Sequence, residues 1–188
     1  IPIFSFINKL DREGLDPFEL MEEIETVLGI QSYPMNWPVR LGGSFLGIYD
    51  RKMMHMELFS GGDHGQSLVS SVKRSVEDQV FRDLLGDDAH NKLIEDISLL
   101  DMAGDAFEMN KVLKGEMTPI FFGSAMTNFG VENFLQEFLK MSTPPMPRAS
   151  DVGEINAESD FFSGFIFKIQ ANMNPTHRDR IAFLRICS

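Results

Sequence analysis

Two short polar runs hold residue types that could do chemistry: Asn8-Lys9-Leu10-Asp11 near the start, and Gly123-Ser124-Ala125-Met126 far downstream. Guanine presents a ring N–H and an exocyclic amine side by side, and a carboxylate such as Asp11 accepts from both at once. Adenine offers no such pair, so the wrong purine would strand the carboxylate without partners. Lys9 would lay its stem along the base face, and Asn8 would tie the loop to its neighbours by side-chain hydrogen bonds. In the second run, small residues let backbone N–H groups approach a ligand closely, and the Ala125 N–H would donate to the guanine carbonyl, where adenine's amine is repelled. Taken singly, N-K-x-D also reads as a solvated loop and Gly-Ser-Ala as an ordinary strand-to-helix turn.

Position joins the two runs. Ile3-Phe4-Ser5-Phe6-Ile7 is short, aromatic and β-branched, which predicts a buried strand ending at Asn8, and Thr118 to Gly123 repeats that pattern ahead of Ser124. Open α/β sheets take ligands at the carboxyl ends of such strands. Behind the first loop a helix is expected with Asp16 as N-cap, Pro17 at its first position, Glu19 placed for a capping box, and Leu20, Met21, Ile24, Val27 and Leu28 on one face. Gly29 ends it. Behind the second loop, Val131, Phe134, Leu135, Phe138 and Leu139 fall at helical spacing.

Between these units, Tyr33 to Val39 is a Pro-bounded stretch, and Phe45–Tyr49 with Lys52–Leu58 predicts a hairpin turning at Asp50-Arg51. From about 67 to 112 the pattern reads as helical and acidic, with Val80, Leu84 and Leu85 as one apolar stripe and Leu93, Ile97 and Leu100 as another. Residues 142–160, with Pro144, Pro145 and Pro147, have the composition of a linker. Phe161–Ala171 and Arg180–Ile186 are β-rich, separated by the turn-prone Asn172 to Pro175, and suggest the first strands of a barrel or sandwich.

With 188 residues and 43% hydrophobic content, the chain can hold one domain and the start of another. Its opening on Ile1-Pro2-Ile3 and its close on Cys187-Ser188 suggest cuts in a longer polypeptide, and no leader or membrane-length apolar run is read, so the parent is expected in the cytoplasm. Cys187 reads as a small buried hydrophobe. His64 invites a metal reading, but no second ligand stands at suitable spacing, so no metal site is expected.

The net charge of −11 opposes non-specific nucleic-acid binding by the chain as a whole. Residues 1–160 carry 13 basic and 27 acidic side chains, whereas 161–188 carry four basic and one acidic, so two domains with different partners are expected. Lys168, His177, Arg178, Arg180 and Arg185 either meet phosphates or decorate a strand surface; Arg178 and Arg180 share one face in an extended strand. The five basic and ten acidic residues of 73–111 read as a solvated helical surface, with repulsion of ribosomal RNA or attraction of a basic protein as the alternative.

Phe6 to Glu13 resembles the guanine-specificity motif of translational GTPases, and Thr118 to Ala125 resembles their later base-contacting motif. Asn128-Phe129-Gly130, Pro144 to Arg148, Phe165 to Met173 and His177 to Phe183 tilt the resemblance toward the release factor 3 family rather than elongation factor G. One departure is Met126, where the family commonly carries leucine, a swap of similar volume.

The resemblance implies part of a P-loop-type α/β GTPase domain (1–141), with an inserted α+β subdomain at about 40–112 that explains the distance between Asp11 and Ser124. A linker at 142–160 and the start of a β-barrel second domain at 161–188 follow. It implies GTP/GDP as ligand, read by Asn8, Lys9, Leu10, Asp11, Ser124, Ala125 and Met126, with magnesium held elsewhere in the parent. The implied partners are the ribosome, its RNA at Lys168, His177, Arg178 and Arg180, and, functionally, class-one release factors; no membrane is implied. Neither G-x-x-x-x-G-K-[ST] nor a magnesium-binding threonine loop is found, so no catalytic residue is assigned, and the chain alone is expected to be inert, to bind nucleotide weakly and to self-associate. An elongation factor G-like or ribosomal protection GTPase, and a binding module whose Asn8–Asp11 loop is merely structural, are the rival readings.

Overall fold

The computed structural model describes residues 1–41, 44–59, 68–73, 75–171 and 179–188. The chain divides into two compact units, Ile1–Ser142 and Thr143–Ser188.

The first unit is built on a parallel three-stranded sheet, β1 (Ser5–Ile7), β7 (Met117–Phe122) and β2 (Gln31–Pro34), with β7 in the middle. Every residue of β7 is buried, which is why its sequence is a near-continuous apolar run. Helix α1 (Pro17–Leu28) returns the chain from β1 to β2; the Asp16 side chain accepts from the Phe18 N–H at its N-terminus, and left-handed Gly29 closes it. Phe18, Met21 and Ile24 pack on the core, but Val27 and Leu28, expected on the same face, are exposed.

The Pro-bounded stretch is extended backbone. It supplies β2 and then β3 (Asn36–Leu41), which opens an antiparallel meander with β4 (Ser44–Asp50), β5 (His55–Phe59) and β6 (Leu68–Lys73). The β4–β5 turn spans Arg51 to Met54 rather than Asp50-Arg51. Strand β6 also corrects the expectation that helix begins near 67. His64 lies outside the described residues.

Helices α2 (Gln79–Leu85), α3 (Asp87–Ala103) and α4 (Met109–Lys114) then lead back to β7. On α2 the buried pair is Phe81 and Leu85, while Val80 and Leu84 face outward; on α3, Leu93, Ile97 and Leu100 are buried as expected. The meander, α2 and α3 share one core with the sheet, since Trp37, Val39, Tyr49, Met56, Phe81, Leu93, Ile120 and Phe122 form a single buried cluster. Helix α5 (Val131–Met141) follows β7, and its Phe134 packs on Phe6 and Phe121. Leu135 and Leu139, placed by spacing on the apolar face, are exposed.

The second unit has two hairpins. Residues 148–155, expected as linker, form β8 (Arg148–Ser150) and β9 (Gly153–Ile155), and β10 (Gly164–Ala171) pairs antiparallel with β11 (Arg180–Ile186) through an irregularity between Ile166 and Lys168. Phe161, Phe162, Phe167 and Ile169 are exposed. Cys187 is half-buried rather than fully enclosed.

Candidate functional site: two loops around one cleft

The loops predicted to cooperate lie side by side, because β1 and β7 are parallel neighbours whose Ile7 and Phe122 are paired. The chain leaves both strands at the same end of the sheet. The Gly123 N–H donates to Ile7 O and the Leu10 N–H donates to Gly123 O, so the strand pairing continues into the loops. Across the gap, Asn8 Oδ1 accepts from the N–H of Ala125 at 2.9 Å and from the N–H of Lys9 at 2.8 Å. Asn8 thus ties the loops together, as its residue type suggested.

The same bond bears on the expected role of Ala125. Its N–H, expected to donate to a base carbonyl, is engaged by Asn8, so reading a carbonyl requires that it be shared between two acceptors.

Asn8, Lys9, Asp11, Arg12, Ala125 and Met126 line a cleft of about 390 Å³, within the range of about 300–1,000 Å³ usual for small-molecule sites. Asp11 is not fully enclosed: its side chain keeps 18% of its accessibility, and Oδ2 lies 3.7 Å from Arg12 Nε. Lys9 takes left-handed backbone (φ 69°), uncommon for a residue with a Cβ. A carboxylate, a lysine stem and a flexible methionine around one cleft suit a base with two adjacent donors.

Leu10 and Ser124 do not line this cleft. Leu10 is 5% exposed and belongs to the main core, so it anchors the loop from beneath. Ser124 is fully buried, exchanges both backbone hydrogen bonds with Phe129, and its Oγ accepts from the Thr127 N–H at 3.4 Å. Gly123 is required by close approach, because a Cβ there would collide with the Phe129 carbonyl oxygen and lie 2.8 Å from Phe6 Cζ.

Sequence reasoning missed two supports supplied by β3. Arg40 Nη2 donates to Leu10 O (3.1 Å) and Arg12 O (3.3 Å). Fully buried Asn36 donates from Nδ2 to Phe122 O (3.1 Å) and accepts from the Phe122 N–H at Oδ1 (2.7 Å), mimicking a strand partner at the last residue of β7. For Asn36 the available signal was an amide between Met35 and Trp37, since a polar residue in a buried stretch needs partners; Arg40 carries no such local signal.

In the second unit Lys168 Nζ sits 5.6 Å from the Phe183 ring centroid and Arg180 is exposed. His177 and Arg178 lie outside the described residues.

The profile of the elongation factor Tu GTP binding domain matches residues 1–144. The chain belongs to that family. Over its whole length it is 53% identical to peptide chain release factor 3 of Symbiobacterium thermophilum, 50% to that of Macrococcus caseolyticus and 46% to that of Trichodesmium erythraeum. It spans only 35–36% of those relatives. A crystal structure of a Thermus thermophilus protein matches the whole chain with a TM-score of 0.56 at 18% identity, over 27% of that protein, and shows the fold alone. The family's α/β GTPase-like fold is therefore the fold of this chain. Among the described residues no helix is long and apolar enough to cross a membrane.

Proposed function

We propose that the chain is the base-reading part of a GTP-binding release factor 3, which frees class-one release factors from the terminating ribosome in the cytoplasm and hydrolyses GTP with magnesium. The observation that carries this reading is the shared cleft: Asp11 and Ala125 flank one cavity, and Asn8 joins their loops at 2.9 Å. Asp11 selects guanine through its ring N–H and amine, Lys9 and Met126 cover the ring, and Ala125 reads the carbonyl. Leu10 and Ser124 hold the loops rather than touch the base. Residues of about 40–112 form the family's insert, and 161–188 begin a β-barrel second domain, where Lys168, His177, Arg178 and Arg180 meet ribosomal RNA.

The release factor 3 reading is favoured over an elongation factor G-like parent by the identity of 46–53% to release factors 3 across all 188 residues. Phosphate binding, magnesium coordination and hydrolysis are assigned to the remainder of the longer protein. The test is Asp11→Asn in that protein. Exchanging one acceptor for a donor should weaken GTP and favour the xanthine nucleotide, whose exocyclic oxygen replaces the amine. Unchanged base preference would refute guanine reading by Asp11. Loss of ribosome-stimulated GTP hydrolysis, restored by the xanthine nucleotide, is the expected result in a termination assay.

A further inference from the structure

The two peptide units that flank the Asp11 Cα are each pinned by one hydrogen bond. The Leu10–Asp11 unit is held at its carbonyl oxygen by Arg40 Nη2 at 3.1 Å, and the Asp11–Arg12 unit is held at its N–H, which donates to Lys9 O at 3.1 Å. The second bond is local to the loop. The first comes from β3, 30 residues away, and the same Nη2 reaches on to Arg12 O at 3.3 Å, bracketing Asp11 from both sides. The orientation of the guanidinium is set by these carbonyls, since its buried Nε has no hydrogen-bond partner among the described residues. A carboxylate that must face two donors at once tolerates little rotation of its Cα–Cβ bond, and that direction follows from the two peptide planes beside it.

We infer that Arg40 is a positioning residue for base selection, holding the Asp11 carboxylate in the orientation that accepts both guanine donors. The inference rests on the reading of Asp11 proposed above. A merely structural Arg40 would affect every nucleotide alike. A positioning Arg40 acts on the part of the affinity that Asp11 supplies, and inosine diphosphate isolates the amine half of that part because it keeps the ring N–H and carbonyl of guanine but lacks the exocyclic amine. Arginine is suited to the task because its flat fork approaches carbonyl oxygens in fixed geometry, which an ammonium does not impose.

The experiment measures Kd for GDP and for inosine diphosphate in the full-length protein, as wild type, Arg40→Met, Arg40→Lys, Asp11→Ala and the Asp11→Ala/Arg40→Met double variant, with thermal unfolding of each. Arg40→Met is expected to shrink the preference for GDP roughly tenfold, the size of one lost charge-assisted hydrogen bond. Arg40→Lys should fall between it and wild type. In the Asp11→Ala background, Arg40→Met should change the preference no further, since both substitutions remove the same discrimination. If Asp11→Ala abolishes the preference while Arg40→Met and Arg40→Lys leave it intact, or weaken both nucleotides equally, Arg40 has no positioning role and guanine reading by Asp11 stands. If Asp11→Ala itself leaves the preference unchanged, both inferences fall. Arg40→Lys keeps charge and most of the packing, so the comparison survives should Arg40→Met fold poorly.

Discussion

Asn8 and Ala125 are joined by a 2.9 Å hydrogen bond across 117 residues of chain. The Asn8 side-chain oxygen also accepts from the Lys9 N–H, so one atom fixes the left-handed start of the first loop and the position of the second. Asn8→Ala removes both bonds. The amides involved are exposed enough for water to replace the lost acceptor, so the stability loss should stay near about 1 kcal/mol. Nucleotide affinity of the full-length protein should fall by about tenfold or more, because the loops no longer hold a common geometry. Urea denaturation alongside nucleotide titration separates these effects, and a large stability loss with unchanged affinity would contradict the tie.

Asn36 should behave in the opposite way. Its side chain satisfies both the N–H and the C=O of buried Phe122. Alanine would leave two backbone groups without partners, at about 1–3 kcal/mol each, so Asn36→Ala is expected to lower the unfolding free energy by roughly 3–4 kcal/mol. A loss under about 1 kcal/mol in chemical denaturation would mean that other groups take over.

These two asparagines also mark how far the sequence could be read. Helix α1 was legible because Asp16, Pro17 and Gly29 are local signals that act within one turn of the chain. Strand β7 was legible because burial on both faces writes itself as an apolar run. Strands β2 and β3 were not, because Pro34 and Pro38 argue against a strand, yet here both lie in strands paired with Ile120 and Ile48. Strand β6 was read as helix because Leu68–Lys73 runs into an acidic, helix-rich stretch and its pairing partner is β5, a tertiary fact. Asn8 and Asp11 announced themselves by spacing. Arg40 did not, since nothing near it in the chain shows that its donors reach carbonyls 28 and 30 residues away.

Two glutamates, one buried and one half-buried, should give opposite pH signatures. Burial alone would raise the Glu137 carboxyl, but hydrogen bonds from Lys140 (2.6 Å) and Lys52 (3.1 Å) bring it below the ordinary value. A carboxyl lowered in the folded state contributes stability above its unfolded pKa and loses it as pH falls through the folded one. Glu137→Gln should therefore cost about 1 kcal/mol at neutral pH, limited because the two lysines are more than half exposed and regain water. That difference should shrink on acidification. For Glu57, burial raises the carboxyl, His55 opposes the rise, and Glu132 and Asp50 add to it. Its ionised form is the disfavoured one in the fold, so stability declines as pH rises from the ordinary carboxylate range through the raised folded value. Glu57→Gln is expected to stabilise slightly at neutral pH, by about 0.5 kcal/mol or less. Thermal melts from pH 3 to 8, on the order of the range over which carboxylates titrate, would expose either sign as wrong.

Gly130 tests whether the second loop depends on close packing behind it. Its backbone is left-handed at φ 65°, and a Cβ would stand 2.6 Å from Ile48 Cδ1 and 2.7 Å from Phe122 O. The isoleucine tip can turn aside, but the carbonyl belongs to β7 and is already held by Asn36. Gly130→Ala must therefore either strain its own backbone or push the end of β7, at an expected loss of about 2–3 kcal/mol. Because Ser124 and Phe129 pair across the short loop that Gly130 closes, the displacement should reach Ala125 and weaken nucleotide binding as well. Gly130→Ala that matches wild type in both denaturation and nucleotide titration would show that the loop has more slack than these contacts allow.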